Sequence, residues 1–162
     1  MLFRSCDRPA PPTATKDTTA PRLSSVSLTH ARFRVAKKAT AINAKARRRK
    51  PVRGTELRFR TSEAGKLTIA IERSLPGRKV RKGHKRICKP VRHKVHHGAC
   101  TTFKRAGKLT RNVKSGRGKV SLSGRVGKRR LAAGRYRLTL TERDAAGNVS
   151  KAIHKNFTIL PG

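Results

Sequence analysis

The sequence predicts an all-β protein, an antiparallel sandwich of about seven short strands. Three observations carry that expectation. Apolar residues recur with period two in run after run, which is the mark of strands with one buried and one wet face. Gly, Pro, Asn and Asp separate the runs. No comparable stretch shows the 3.6-residue period of an amphipathic helix.

Taken in order, Pro9, Pro11, Pro12 and Pro21 stand among Thr and Ala near the start. Pro fixes φ and removes donors, so residues 1–20 are expected to form a disordered linker, with Cys6 unpaired in it. The sandwich is expected over residues 21–160. Val26 and Leu28 open the alternation, followed by Phe33 and Val35. Ala36 to Arg49 is rich in Ala and charge and reads as a loop with one helical turn at most. Leu57 and Phe59 face one way, and Glu56, Arg58 and Arg60 the other. Leu67, Ile69 and Ile71 repeat the pattern after a loop at Thr61–Gly65, which reads as a hairpin. Val120 and Leu122 do so after Gly118, with Gly116–Gly118 read as a turn. Leu138 and Leu140 follow Tyr136, and Phe157 and Ile159 come last. Before that last strand, Asp144, Gly147 and Asn148 form a hairpin turn: Asp144 can bond backbone amides, and Gly147 or Asn148 can take positive φ.

Between Arg73 and Arg105 the alternation fails, so a basic loop insertion is expected at about 75–105. Arg78, Lys79, Arg81, Lys82, Lys85 and Arg86 make it the best candidate for binding polyanions, together with Lys45 to Arg53. Cys88 and Cys100 bracket part of it, with His93, His96 and His97 between them. Three readings stay open: a disulfide closing the loop, a metal site, or free thiols. The spacing Cys-x4-His-x2-His-His-x2-Cys matches no familiar zinc pattern, so no metal ligand is expected.

Composition limits the function. The chain has 162 residues, with 43 Lys and Arg against 7 Asp and Glu, a formal net charge of +36. Apolar residues are 35% and aromatic residues 4%, with no Trp and one Tyr. Few acids remain for carboxylate catalysis or cation cages. Glu56, Glu63 and Glu72 do not pair into an acid/base site on this reading, and Asp144 lacks companion acids for calcium. There is no phosphate-cradling glycine loop and no nucleophile elbow. Asn148-Val149-Ser150 and Asn156-Phe157-Thr158 fit the glycosylation triplet, a pattern short enough to arise by chance. No cofactor and no small-molecule substrate are expected, and the chain reads as non-enzymatic.

The charge has two readings. One is a polyanion partner: an anionic wall polymer, nucleic acid or an anionic lipid surface, bound without specificity. The other is a compositional habit spread over solvated faces. The excess lies on nearly every segment, which favours the second.

Leu131, Gly134 and Tyr136 resemble the tyrosine corner of Ig-like and fibronectin type III-like sandwiches, in which the Tyr hydroxyl bonds backbone a few residues upstream. Asp17 to Pro21 resembles the start of bacterial Ig-like modules, and Tyr136 to Ser150 their last hairpin. The resemblance covers about residues 17–160. It implies an Ig-like fold and a non-catalytic structural or adhesive role in a secreted or cell-surface protein, beside neighbouring domains of a longer chain. No signal peptide is visible, so the start is expected to be truncated. A cytoplasmic basic protein binding nucleic acid non-specifically is the first alternative, and a zinc-binding module the second.

Overall fold

The computed structural model describes residues 17–36, 52–93 and 95–162. The expectations placed on residues 1–16, on Cys6, on the 37–49 loop and on most of the Lys45 to Arg53 run lie outside the described residues.

The protein is an all-β sandwich of two sheets whose strand pairs are antiparallel except for the parallel pair of the short β2 with β11. In the smaller sheet, β1 (Leu23–Leu28) and β7 (Gly116–Leu122) flank β3 (Thr55–Thr61). The larger sheet runs β2 (Arg32–Phe33), β11 (Ile153–Ile159), β10 (Gly134–Arg143), β4 (Gly65–Lys82) and β5 (Lys85–Pro90). On its other side β4 also pairs with β6 (Ala99–Val113). A separate small hairpin joins β8 (Arg125–Val126) and β9 (Arg129–Arg130).

Period two explains the layering. Leu57 and Phe59 of β3 and Val120 and Leu122 of β7 point down from the smaller sheet. Leu67, Ile69 and Ile71 of β4, Leu138 and Leu140 of β10, and Phe157 and Ile159 of β11 point up from the larger one. All of them are buried in one contiguous core, joined by Phe33, Tyr136 and Leu131. Phe33 and Tyr136 stack on Phe157 with ring centroids 5.6 and 5.3 Å away. Such contacts add to what burial of the rings contributes.

Four elements differ from the sequence-based expectation. The 75–105 region is not a loop: β4 continues through it to Lys82, turns at Gly83 and His84, and returns as β5. β6 was not anticipated at all, although it borders β4 over nearly its whole length. Thr61–Gly65 is not a hairpin, because β3 and β4 belong to different sheets. The loop there carries the chain across the core. Gly116–Gly118 is part of β7, paired with Phe59 to Thr61 of β3, rather than a turn.

The course of the strands gives the sandwich two ends. The chain enters beside the Thr61 loop, where Leu23 pairs with Thr61. It leaves at the other end, where Ile159 lies beside Gly134 and Phe33.

Candidate functional site: a clamped cationic ribbon and its supporting corners

β10 accompanies β4 only as far as Arg73, opposite Tyr136. From there β4 runs on past the exit end of the sandwich. β6 stays with it to Arg78, and β5 takes the place of β10 from Gly77 outward. Beyond Arg78 the projection is a two-stranded ribbon.

The partners in an antiparallel ladder share a face. Arg78 with Lys89, Val80 with Ile87 and Lys82 with Lys85 therefore lie on one face of the ribbon. Lys79 with Cys88 and Arg81 with Arg86 lie on the other. The six cations expected to bind polyanions are thus brought into one hairpin but split between its two faces. All six are exposed. Arg81 opposite Arg86, and Lys82 opposite Lys85, are like charges across a ladder, an arrangement that weakens strand pairing.

A covalent link offsets that weakness. Cys88 and Cys100 form a disulfide, with Cα atoms 6.0 Å apart. Cys88 is on β5 and Cys100 on β6, so the bridge crosses over β4. It passes above Gly77, where a Cβ would lie 2.5 Å from the Cys88 sulfur and 2.9 Å from the Lys89 carbonyl oxygen. Only glycine leaves room for the bridge. Of the three readings open for the cysteines, the structure has the disulfide. His93, His96 and His97 are in the segment between β5 and β6; His93, His96 and His97 are exposed.

At the ribbon's base, the outer face of the sheet carries a polar network. Arg137 lies over the Phe103 ring at 3.5 Å from its centroid and binds Glu72 through Nη2 at 2.8 Å. Thr139 donates to the same Glu72 oxygen at 3.0 Å and contacts His154 Nδ1 at 3.0 Å. Burial works against the Glu72 charge, but these bonds from Arg137 and Thr139 hold its carboxyl below the ordinary range.

The predicted corner residues also meet. Leu131 is buried, Gly134 takes φ of +147°, and the Tyr136 hydroxyl donates to the Ala132 carbonyl at 2.7 Å. Burial raises the Tyr136 pKa, with the charges of Arg73 and Arg129 pulling the other way.

At the opposite end, the predicted turn is built around Asp144. Its carboxylate accepts from the Asn148 backbone N–H at 2.8 Å and from the Asn148 side-chain amide at 2.9 Å. Gly147 supplies the positive φ, +95°. The Asn148 amide also donates to the carbonyls of Asp17 and Thr19, at 3.0 and 3.1 Å, which ties the entering segment to the turn. Some desolvation disfavours the Asp144 charge, but the hydrogen bonds of the turn outweigh it and lower the pKa.

Asp144 does have companion acids, contrary to the reading of the sequence. One carboxylate oxygen each of Asp17, Glu63 and Asp144 lie within 4.8 Å of one another. Nearby, Glu142 is wholly buried, accepts a hydrogen bond from Thr61, and has Oε1 unpartnered. Its carboxyl is pushed up, first by burial and then by the charges of Glu63 and Asp144, with the Thr61 bond opposing. Asp17, Glu63 and Asp144 are far apart in sequence and lie in loops that only the sandwich topology brings together.

Compared with protein-family models and with curated proteins, the chain matches none.

Proposed function

We propose that the protein is a non-catalytic structural or adhesive module, Ig-like in topology, of a bacterial secreted or cell-surface protein. Its ribbon gives it affinity for polyanions. The Cys88–Cys100 disulfide carries this reading, because such a bond persists in oxidising compartments and is rare in the cytosol. The course of the chain supports it. A domain that is entered at one end and left at the other transmits the chain along its length, as a spacer beside other domains must. The Tyr136–Ala132 corner supports the Ig-like assignment. Three of the four groups with shifted pKa values have a structural use: Glu72 in an ion pair, Tyr136 in the corner, Asp144 in the turn.

The ribbon supports the polyanion part of the proposal. Between Glu72 and Glu142 the sequence contains no carboxylate, so nothing acidic offsets its cations locally. Binding of this kind is sequence-independent and falls steeply with salt.

The test is the state of the protein in its native source. Intact cells are treated with protease, and the protein is alkylated without reduction and analysed by mass spectrometry. Loss of the surface signal together with a linked Cys88–Cys100 peptide is expected. A protected protein with both thiols alkylated would instead favour the cytoplasmic, nucleic-acid-coating alternative.

A further inference from the structure

A second cationic feature lies at the exit end, apart from the ribbon. A cleft of about 640 Å³ is lined there by Arg34, Arg53, Arg125 and Arg130, with Ala132, Ala133 and Leu160 supplying apolar surface. The fold forces these arginines together in two pairs. Arg34 and Arg53 are partners in an isolated parallel bridge, secured by hydrogen bonds of 2.9 Å from Arg34 N to Val52 O and from Gly54 N to Arg34 O. Arg125 and Arg130 are partners across the β8–β9 hairpin. Each pair sets like charges directly opposite, which costs stability.

No acidic side chain among the described residues relieves that cost. Their ion pairs are Arg58 with Glu56 and Arg137 with Glu72, and neither involves the cleft. The Nε atoms of Arg34 and Arg125 are buried without a hydrogen-bond partner. Asp17, Glu63 and Asp144 gather at the far end of the sandwich. Residues 37–51, which join Ala36 at the cleft to Val52, contain no acid. Arginine cannot escape the repulsion by losing a proton.

We propose that this cleft binds a multiply charged phosphate group, held between the two arginine pairs. A guanidinium presents a planar fork of donors that matches two oxygens of one anion. A phosphate has oxygens on several sides, so forks converging from two pairs can share it. A single carboxylate has only two oxygens and one charge to set against four guanidinium groups. The cleft exceeds the size of a bare ion and falls within the roughly 300–1,000 Å³ of small-molecule sites. The ligand is therefore a phosphomonoester or pyrophosphate on a small organic body, which packs on Ala132, Ala133 and Leu160.

The experiment is calorimetric titration of the full chain with inorganic pyrophosphate, inorganic phosphate, glycerol phosphate and citrate at about physiological salt, where long-range attraction is screened. Pyrophosphate is expected to saturate one site. In Arg34→Gln/Arg125→Gln its affinity falls at least about tenfold, as expected on losing charge-assisted hydrogen bonds. Arg81→Ser/Arg86→Ser removes the same charge from the ribbon and is expected to change affinity less than about twofold, because exposed charges at a distance are screened. Arg53→Gln/Arg130→Gln alters only the exposed member of each pair and keeps the test valid if the half-buried Arg34 and Arg125 prove necessary for folding. Equal losses from cleft and ribbon variants would overturn the site, since diffuse charge would then suffice. Citrate binding as tightly as pyrophosphate would overturn the assignment to phosphate. Glycerol phosphate binding no tighter than inorganic phosphate would overturn the organic body.

Discussion

The body of the sandwich and the ribbon that projects from it use the same backbone ladder for different ends. β4 passes through both. In the body, its odd-numbered residues Leu67, Ile69 and Ile71 are buried against the opposite sheet. In the ribbon, the odd-numbered Lys79 and Arg81 are in water, and so are the even-numbered Arg78 and Lys82. The hydrogen-bonding pattern barely changes along the strand, yet the source of order does. Apolar burial holds the body, whereas a disulfide crossing above Gly77 holds the ribbon. Backbone pairing alone does not stabilise an isolated hairpin in water.

The largest expected effect contrasts two aliphatic residues on that one strand. Ile69→Ala leaves a cavity in the core and is expected to cost roughly 2–5 kcal/mol. Val80→Ala, in the ribbon, is expected to cost within about 0.5 kcal/mol, as surface substitutions do. Urea denaturation of both variants measures the difference. Similar midpoints would mean that the ribbon is packed as the body is.

The clamp supplies the next contrast. Cys88→Ser with Cys100→Ser removes a constraint worth about 3 kcal/mol for a loop of this size in the chain-entropy model. If the ribbon is a separate unit, that loss is local. Amides from Val80 to Ile87 are expected to lose hydrogen-exchange protection, while those of Leu138 and Leu140 keep theirs. A matching loss in both regions would show that ribbon and body unfold together.

The same difference explains what could be read from the sequence. Period two is visible only where one face is buried, so β3, β7, β10 and β11 were legible. Past Gly77, no residue of β4 is buried, and its cations carry no alternation. The sequence there resembles a loop. β6 was illegible for two reasons. It pairs only with β4, so little of it is buried, and a register shift opposite Ile71 and Glu72 breaks its parity. The turn at Asp144 and the corner at Tyr136 were legible because local spacing defines them. The acids around Asp144 and the arginines of the exit cleft were not, since each set comes from segments that only the sheet topology brings together.

A smaller effect is expected at the corner, where the body meets the base of the ribbon. Tyr136→Phe removes the hydroxyl that donates to Ala132. The expected cost is about 1–2 kcal/mol, because a partly buried carbonyl loses its donor. The body should feel this change in its urea midpoint, while the ribbon's exchange protection stays as it was. No shift in midpoint would show that water replaces the hydroxyl without loss.

The smallest effect depends on pH and separates a carboxyl of the core from one at the ribbon's base. Glu142 has its pKa raised by burial, so the folded state favours its protonated form. Its contribution is complete below the ordinary carboxylate range and is lost as pH rises through the raised folded value. Glu142→Gln keeps an acceptor for Thr61 and removes the charge. It is expected to raise stability near neutral pH by up to about 1 kcal/mol, the scale of a single buried polar adjustment, and to have little effect at about pH 4. Glu72 has the opposite sign. Burial disfavours its charge, but Arg137 and Thr139 hold its pKa down, so its contribution is present above the ordinary range and lost as pH falls through the lowered value. Glu72→Gln should therefore destabilise near neutral pH, by no more than about 1 kcal/mol for a pair this accessible, and have least effect in acid. Urea midpoints of both variants across the acid range measure the two slopes. Slopes of the same sign would mean that Glu142 is solvated as Glu72 is, and that the Thr61 loop admits water to the end of the core.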